Sequence, residues 1–208
     1  HRLTLDGTFT TEARYAAAGC AAFFEVAAAG ELLFATAAPV DASWEPPVLW
    51  ATTLLALDSM SLEVRYTLGA AFWNGAVLVG GLAVCGEELF VCNLGNDRLQ
   101  VFSLAGEHRR SITGEWKRPL ALCFVKDRLY LLEQCDDDKD EEGNFIYPQP
   151  GRRIFVLSLQ GDTLQVYTHP VEGQAFSDGL CCFDGKLLAP VRDRRSSIAK
   201  EVVALCGV

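Results

Sequence analysis

The densest run of metal-ligating side chains lies between Asp136 and Asn144. Within it Asp138, Asp140 and Glu142 alternate and are followed by Gly143, the opening spacing of a calcium loop. Alternate carboxylates can converge on one hard cation, and Gly permits the sharp turn that such convergence needs. The twelfth place, where a calcium loop carries a bidentate Glu, is Gln149 between Pro148 and Pro150. Dense carboxylates between two strands also make an ordinary solvated loop. A surface excursion is therefore the first expectation for 135–150, and calcium ligation by Asp138, Asp140 and Glu142 is the alternative.

Hydrolytic chemistry has less to stand on. No Gly-x-Ser-x-Gly elbow occurs. His169, Ser177 and Asp178 are close in sequence, but a catalytic triad is a spatial arrangement and these read as turn residues. His1, His108 and His169 lack the spacing of zinc ligands, and the eight cysteines include no Cys-x-x-Cys pair. No catalytic residue and no cofactor is assigned. Cys85 and Cys123 fall at the same place in successive repeats and read as small buried side chains, and the cysteines as a set read as reduced and structural, which points to the cytoplasm.

The remaining candidates are aromatic. Trp44, Trp50, Trp73 and Trp116 fall in or beside connections between strands, with Pro46 and Pro47 near the first two. Tryptophan on a loop buries much area against a partner, and it also packs between neighbouring layers. Both readings stay open for these four. The net charge of −9 opposes nucleic acid, which is held by clustered Lys and Arg. The best basic cluster, Arg192, Arg194 and Arg195, is interrupted by Asp193. No apolar run is long enough to span a bilayer, so no membrane partner is expected.

The elements that must position these residues are read from an internal repeat. A short strand, Leu, one residue and a turn recur as Leu3-Thr4-Leu5-Asp6-Gly7, Leu55-Ala56-Leu57-Asp58-Ser59, Phe102-Ser103-Leu104-Ala105-Gly106 and Leu157-Ser158-Leu159-Gln160-Gly161. A last copy is Val203-Ala204-Leu205-Cys206-Gly207. The marker residues Leu5, Leu57, Leu104, Leu159 and Leu205 are 52, 47, 55 and 46 apart, a blade-sized period. After the turn the chain alternates, as in Leu62-Glu63-Val64-Arg65-Tyr66-Thr67-Leu68, the period of a half-buried strand. Upstream, Gly81–Cys85 leads into Glu88–Cys92, Pro119–Cys123 into Arg128–Leu132, and Gly179–Phe183 into Lys186–Ala189. Each unit then holds four strands. The prediction is an all-β fold, a β-propeller of four-stranded antiparallel blades with about four repeats. The units are a partial blade at 1–15, blades at 20–69, 79–114 and 118–168 (the last with the acidic insert 135–150), and a partial blade at 178–208. The Ala-rich stretch 16–29 has high helix propensity, yet its register with later repeats places it as a first strand.

One unit carries a recognisable motif. Asn93-Leu94-Gly95-Asn96-Asp97-Arg98-Leu99-Gln100-Val101-Phe102 resembles an NHL repeat at nearly every defining position except the following turn, where Ala105 replaces a polar residue. The resemblance covers 81–114. In the next unit the motif is interrupted by the insert and rejoins at Arg153-Ile154-Phe155-Val156. It implies that Asn93, Gly95, Asn96 and Arg98 are architectural, shaping the loop between strands. NHL propellers commonly have six blades. Leu5 and Leu205 occupy the same place in the repeat, so strands at both ends would compete for one slot in a four-bladed ring. A larger propeller, of which this stretch is a fragment, avoids that conflict.

The resemblance implies a non-enzymatic interaction module that binds a protein partner through its loops. The alternative is a metal-dependent lactonase or hydrolase of the gluconolactonase-like propeller type. Those enzymes hold a metal with Glu, Asn and Asp at the central channel, and the full set is not identifiable here. RNA binding, known for some of the family, is set against the acidic balance.

Overall fold

The computed structural model describes residues 2–3, 9–10, 20–39, 53–68, 79–134, 151–177, 179–193 and 201–205. A short hairpin, β1 (Arg2–Leu3) with β2 (Phe9–Thr10), precedes four larger sheets. The first sheet is β3 (Cys20–Ala29), β4 (Leu32–Pro39), β5 (Thr53–Asp58) and β6 (Val64–Leu68). The second is β7 (Val79–Cys85), β8 (Glu88–Asn93), β9 (Arg98–Ser103) and β10 (His108–Thr113). The third is β11 (Pro119–Val125), β12 (Arg128–Glu133), β13 (Arg153–Leu157) and β14 (Thr163–Thr168). The fourth is β15 (Gln174–Phe176), β16 (Cys181–Phe183), β17 (Lys186–Asp193) and β18 (Glu201–Leu205). All pairing is antiparallel, and the first three sheets run in simple chain order. The arrangement is that of β-propeller blades, as the repeat predicts.

Alternation along the strands gives every blade two apolar faces. The trailing face of the first blade (Phe34, Leu54, Ala56) meets the leading face of the second (Leu82, Leu89, Val91, Phe102). Phe90, Leu99 and Val101 of the second meet Leu122, Leu129, Leu131 and Phe155 of the third. Tyr130, Leu132, Ile154 and Val156 of the third then meet Leu187, Ala189 and Val191 of the fourth. Each core layer is thus shared between two blades, which is why a single blade cannot bury itself.

Innermost strands approach at backbone distance. A Cβ on Gly80 would lie 2.5 Å from the carbonyl oxygen of Leu120, and one on Gly81 would lie 2.5 Å from the amide nitrogen of Leu122. The same crowding explains β3. Its Ala27 and Ala29 fit against the first core layer, and this tertiary demand for small side chains overrides the helix propensity of the segment.

At the outer rim the repeated Leu-x-Gly turn ties one blade to the blade before it. Tyr66 Oη donates to the Leu104 carbonyl at 2.7 Å, and Arg110 Nη2 donates to the Leu159 carbonyl at 3.0 Å. Gly106 and Gly161 hold φ of +87° and +101°, and a Cβ at either would strike Tyr66 or Ile112 of the preceding blade.

The fourth blade departs from the simple reading of its first strand. Both β15 and β16 pair along one edge of β17, β15 at Val191–Asp193 and β16 at Lys186–Leu188, while β18 takes the other edge. The first strand is therefore split. Ser177 N–H donates to the Pro190 carbonyl at 2.7 Å, so Pro190 faces this inner edge. Residues of an antiparallel ladder present N–H and C=O to the same edge, and Pro has no N–H to give. The break falls at that missing donor.

Candidate functional site

Topology sorts the connections into two kinds. Gly80 lies against Leu120 and Gly81 against Leu122, so β7 and β11 run in the same direction. With antiparallel pairing inside each blade, second-to-third-strand connections and blade-to-blade connections share one end of the sheets. First-to-second and third-to-fourth turns share the other end. The turn end has tight links such as 86–87 and 126–127. Among the described residues the connection end holds 94–97 within the second blade and 114–118 and 169–173 between blades, and the strand ends at Pro39, Thr53, Glu133 and Arg153 lie there too.

The candidates singled out in the sequence divide between described and undescribed residues. Trp44 and Trp50 fall in 40–52, Trp73 in 69–78, and Asp138, Asp140 and Glu142 in 134–152; all six lie outside the described residues. Trp116 and the Asn93–Arg98 motif are described.

The motif forms a compact turn. Leu94–Asn96 makes one tight helical turn, closed by Asp97 in the left-handed region at φ +50°. Asn93 is fully buried and its Nδ2 donates to Gln100 Oε1 at 2.8 Å, while Asn96 Nδ2 donates to Asn93 Oδ1 at 2.9 Å. Arg98 stands opposite Asn93 in the β8–β9 register, and Gly95 is exposed at the tip. Asp97 then reaches the next connection: its Oδ1 accepts from the Arg118 amide at 2.6 Å and its Oδ2 from Lys117 Nζ at 3.2 Å.

The third blade repeats the device with charge. Glu133, at the end of β12, takes the place of Asn93, and Arg153, at the start of β13, takes that of Arg98. Arg153 pairs with both carboxylate oxygens of Glu133, one through Nε and one through Nη2 at 2.8 Å. Lys117 N–H also donates to Glu133 Oε2 at 3.2 Å, and the Arg153 guanidinium lies 4.9 Å from the centre of the Phe155 ring. Arg118 closes the network, with Nε donating to Gln134 Oε1 at 2.9 Å and its carbonyl accepting from Gln134 N–H at 3.0 Å. The outcome is a rigid polar floor that joins the second and third blades.

Trp116 lies beneath this floor. It is completely buried, in edge-to-face contact with Phe155 at 5.8 Å between ring centres. Its ring occupies the space beside Gly114, where a Cβ would sit 2.0 Å from it. Of the two readings for the tryptophans, packing is what this position provides. His169 is similarly engaged: it is buried, stacks edge-on to Phe176 at 5.1 Å, and its carbonyl accepts from Arg152 Nη2 at 3.1 Å. Among the described residues no three His, Cys, Asp or Glu side chains come together as a metal site.

Asp97, Lys117, Arg118 and Glu133 were not singled out by residue type alone. Arg153 carried a signal, because it rejoins the repeat at the place of Arg98. Glu133 carried none, since its role depends on Arg153, a partner across the nineteen residues 134–152.

No protein-family model matches the chain, and no curated protein matches it in sequence. Solved structures do match, at the level of fold. The WD40 repeats of RRP9 superpose with a TM-score of 0.58 at 12% identity, over 92% of this chain and 52% of that one. Glutaminyl cyclase of Myxococcus xanthus gives 0.53 at 16% identity, over 80% of this chain and 60% of the enzyme. The computationally designed Ika4 protein gives 0.53 at 14% identity, over 88% of this chain and 90% of the design. The chain thus spans about half the length of RRP9's repeats and nearly all of Ika4.

Proposed function

We propose that this chain is an interaction module of the NHL-like propeller type, whose connection end binds a protein partner. The observation that carries the reading is the asymmetry between the two ends. One end has tight turns, while the described strands that flank the long segments of sequence all finish at the other, beside a hydrogen-bonded floor. Function on repeat scaffolds generally resides in variable loops held by rigid elements. The polar floor from Asn93 to Arg153 fixes where the connections start and finish, which lowers the ordering cost of presenting them to a partner.

The test is photo-cross-linking from both ends. A cross-linkable side chain replaces Lys117 or Val171 at the connection end, and Met60 or Gln160 at the turn end; all four sites are exposed. The expected result is one cross-linked protein, the same from Lys117 and Val171, and none from Met60 or Gln160. Capture from the turn end alone, or equally from both ends, overturns the reading.

A further inference from the structure

Register puts the residues of the innermost strands in correspondence from blade to blade. Ala27, Ala83 and Cys123 stand opposite Phe34, Phe90 and Tyr130 on their second strands. Val84, Phe124 and Cys182 stand opposite Leu89, Leu129 and Leu187. Side chains directly opposite in an antiparallel pair share a face of the sheet. The first set therefore looks from each blade toward the next, and the second set looks back toward the blade before. Between the first and second blades Ala27 and Val84 lie in one apolar layer, and between the second and third Ala83 and Phe124 do. Tyr130 and Leu187 share the layer between the third and fourth, with Cys123 packed against it. The small-and-large pair of two interfaces is replaced at the third by two thiols, Cys123 on β11 and Cys182 on β16.

These two strands adjoin, with Cα atoms of β11 and β16 within 8 Å of one another. Both thiols are free; Cys123 is half-buried and Cys182 is exposed. The Cys123 thiol is pushed up to about 12, by burial first and then by the neighbouring sulfurs of Cys182 and Cys181. Cys181 stands opposite Leu188 and so takes the other face of β16, away from the third blade.

We propose that Cys123 and Cys182 are a redox-active dithiol whose oxidation ties the third blade to the fourth. The oxidant is hydrogen peroxide. The Cys182 sulfur attacks one peroxide oxygen and breaks the O–O bond, giving a sulfenic acid and one water. The Cys123 sulfur then attacks the Cys182 sulfur, and its proton leaves with the sulfenic hydroxyl as a second water. Two thiols become one disulfide while one peroxide is reduced to two waters. Access sets the order of the steps: Cys182 meets solvent, whereas the Cys123 thiol keeps its proton at neutral pH. The bond closes a loop from 123 to 182 and so restricts the unfolded chain.

Peroxide treatment of the reduced chain, followed by thiol blocking and tryptic peptide mapping, tests this. Cys123 falls in the peptide 118–126 and Cys182 in 154–186. The expected product is a single chain with these two peptides joined, and fragmentation should place the link at Cys182 rather than Cys181. This mapping uses the unaltered chain and needs no variant to fold. The link should vanish in Cys123→Ser and in Cys182→Ser, and persist in Cys181→Ser. Reducing the oxidised parent with dithiothreitol should lower its urea midpoint, with no such shift in Cys182→Ser. Oxidation of Cys182 that leaves Cys123 a free thiol overturns the proposal. A link made from Cys181, a link formed only between two chains, or a midpoint indifferent to reduction would each do the same.

Discussion

Single residues in this molecule are constrained less by chemistry than by where the ladder puts them. Glu25 illustrates it. Its half-buried carboxyl lies on β3, where burial pushes its pKa above the ordinary Glu value. Its backbone amide donates to Thr36 Oγ1 at 3.1 Å, which fixes the position without neutralising the charge. A carboxyl whose pKa is raised on folding binds its proton more tightly in the native state. Its ionisation therefore costs stability as pH rises through that folded value, and the cost is absent in acid, where both states are protonated. Glu25→Gln should melt at a higher temperature than the parent at neutral pH, with the difference closing as the pH falls below the Glu range. Melting curves at several pH values check this, and a gap that widens in acid contradicts it. Glu88 behaves oppositely: hydrogen bonds from Arg110 hold its pKa below the usual value, and its contribution is lost on acidification.

At the scale of elements, the inner strands set the tolerance of the fold. Gly81 is needed because β11 passes too close for a side chain, with Leu122 N and the Ala121 backbone on top of it. Gly81→Ala must push two blades apart or bend β7, and overpacking of this kind costs about 1–3 kcal/mol. Urea unfolding should show that loss, while the same change at Gly179, which has open space around its Cα, should be nearly neutral apart from backbone effects. Much of the element level was legible beforehand. The marker leucines located the third strands, and alternation located the fourth. Even the Ala-rich β3 followed from register once periodicity was weighed above propensity. The split first strand of the fourth blade was not legible, because Pro190 breaks pairing only on the edge that it happens to face. The polar floor was half legible: Asn93 to Arg98 announces itself as a motif, but Glu133 and Arg153 are joined across a connection that no local pattern spans.

The whole molecule behaves as a short array in which each blade depends on its neighbours. The second and third blades are covered on both faces, by the layers around Phe102 and Val91 on one side and Tyr130 and Val156 on the other. The first and fourth are covered fully on one face only. Local opening should follow that order, since amides exchange through openings whose cost depends on how much apolar contact is lost. Hydrogen exchange on a dilute sample should find the slowest amides in β8, β9, β12 and β13, and faster exchange in β18. The outer strands β10 and β14, with largely exposed side chains, should fall between. Uniform protection across the four blades would mean that stability is not carried by the shared layers.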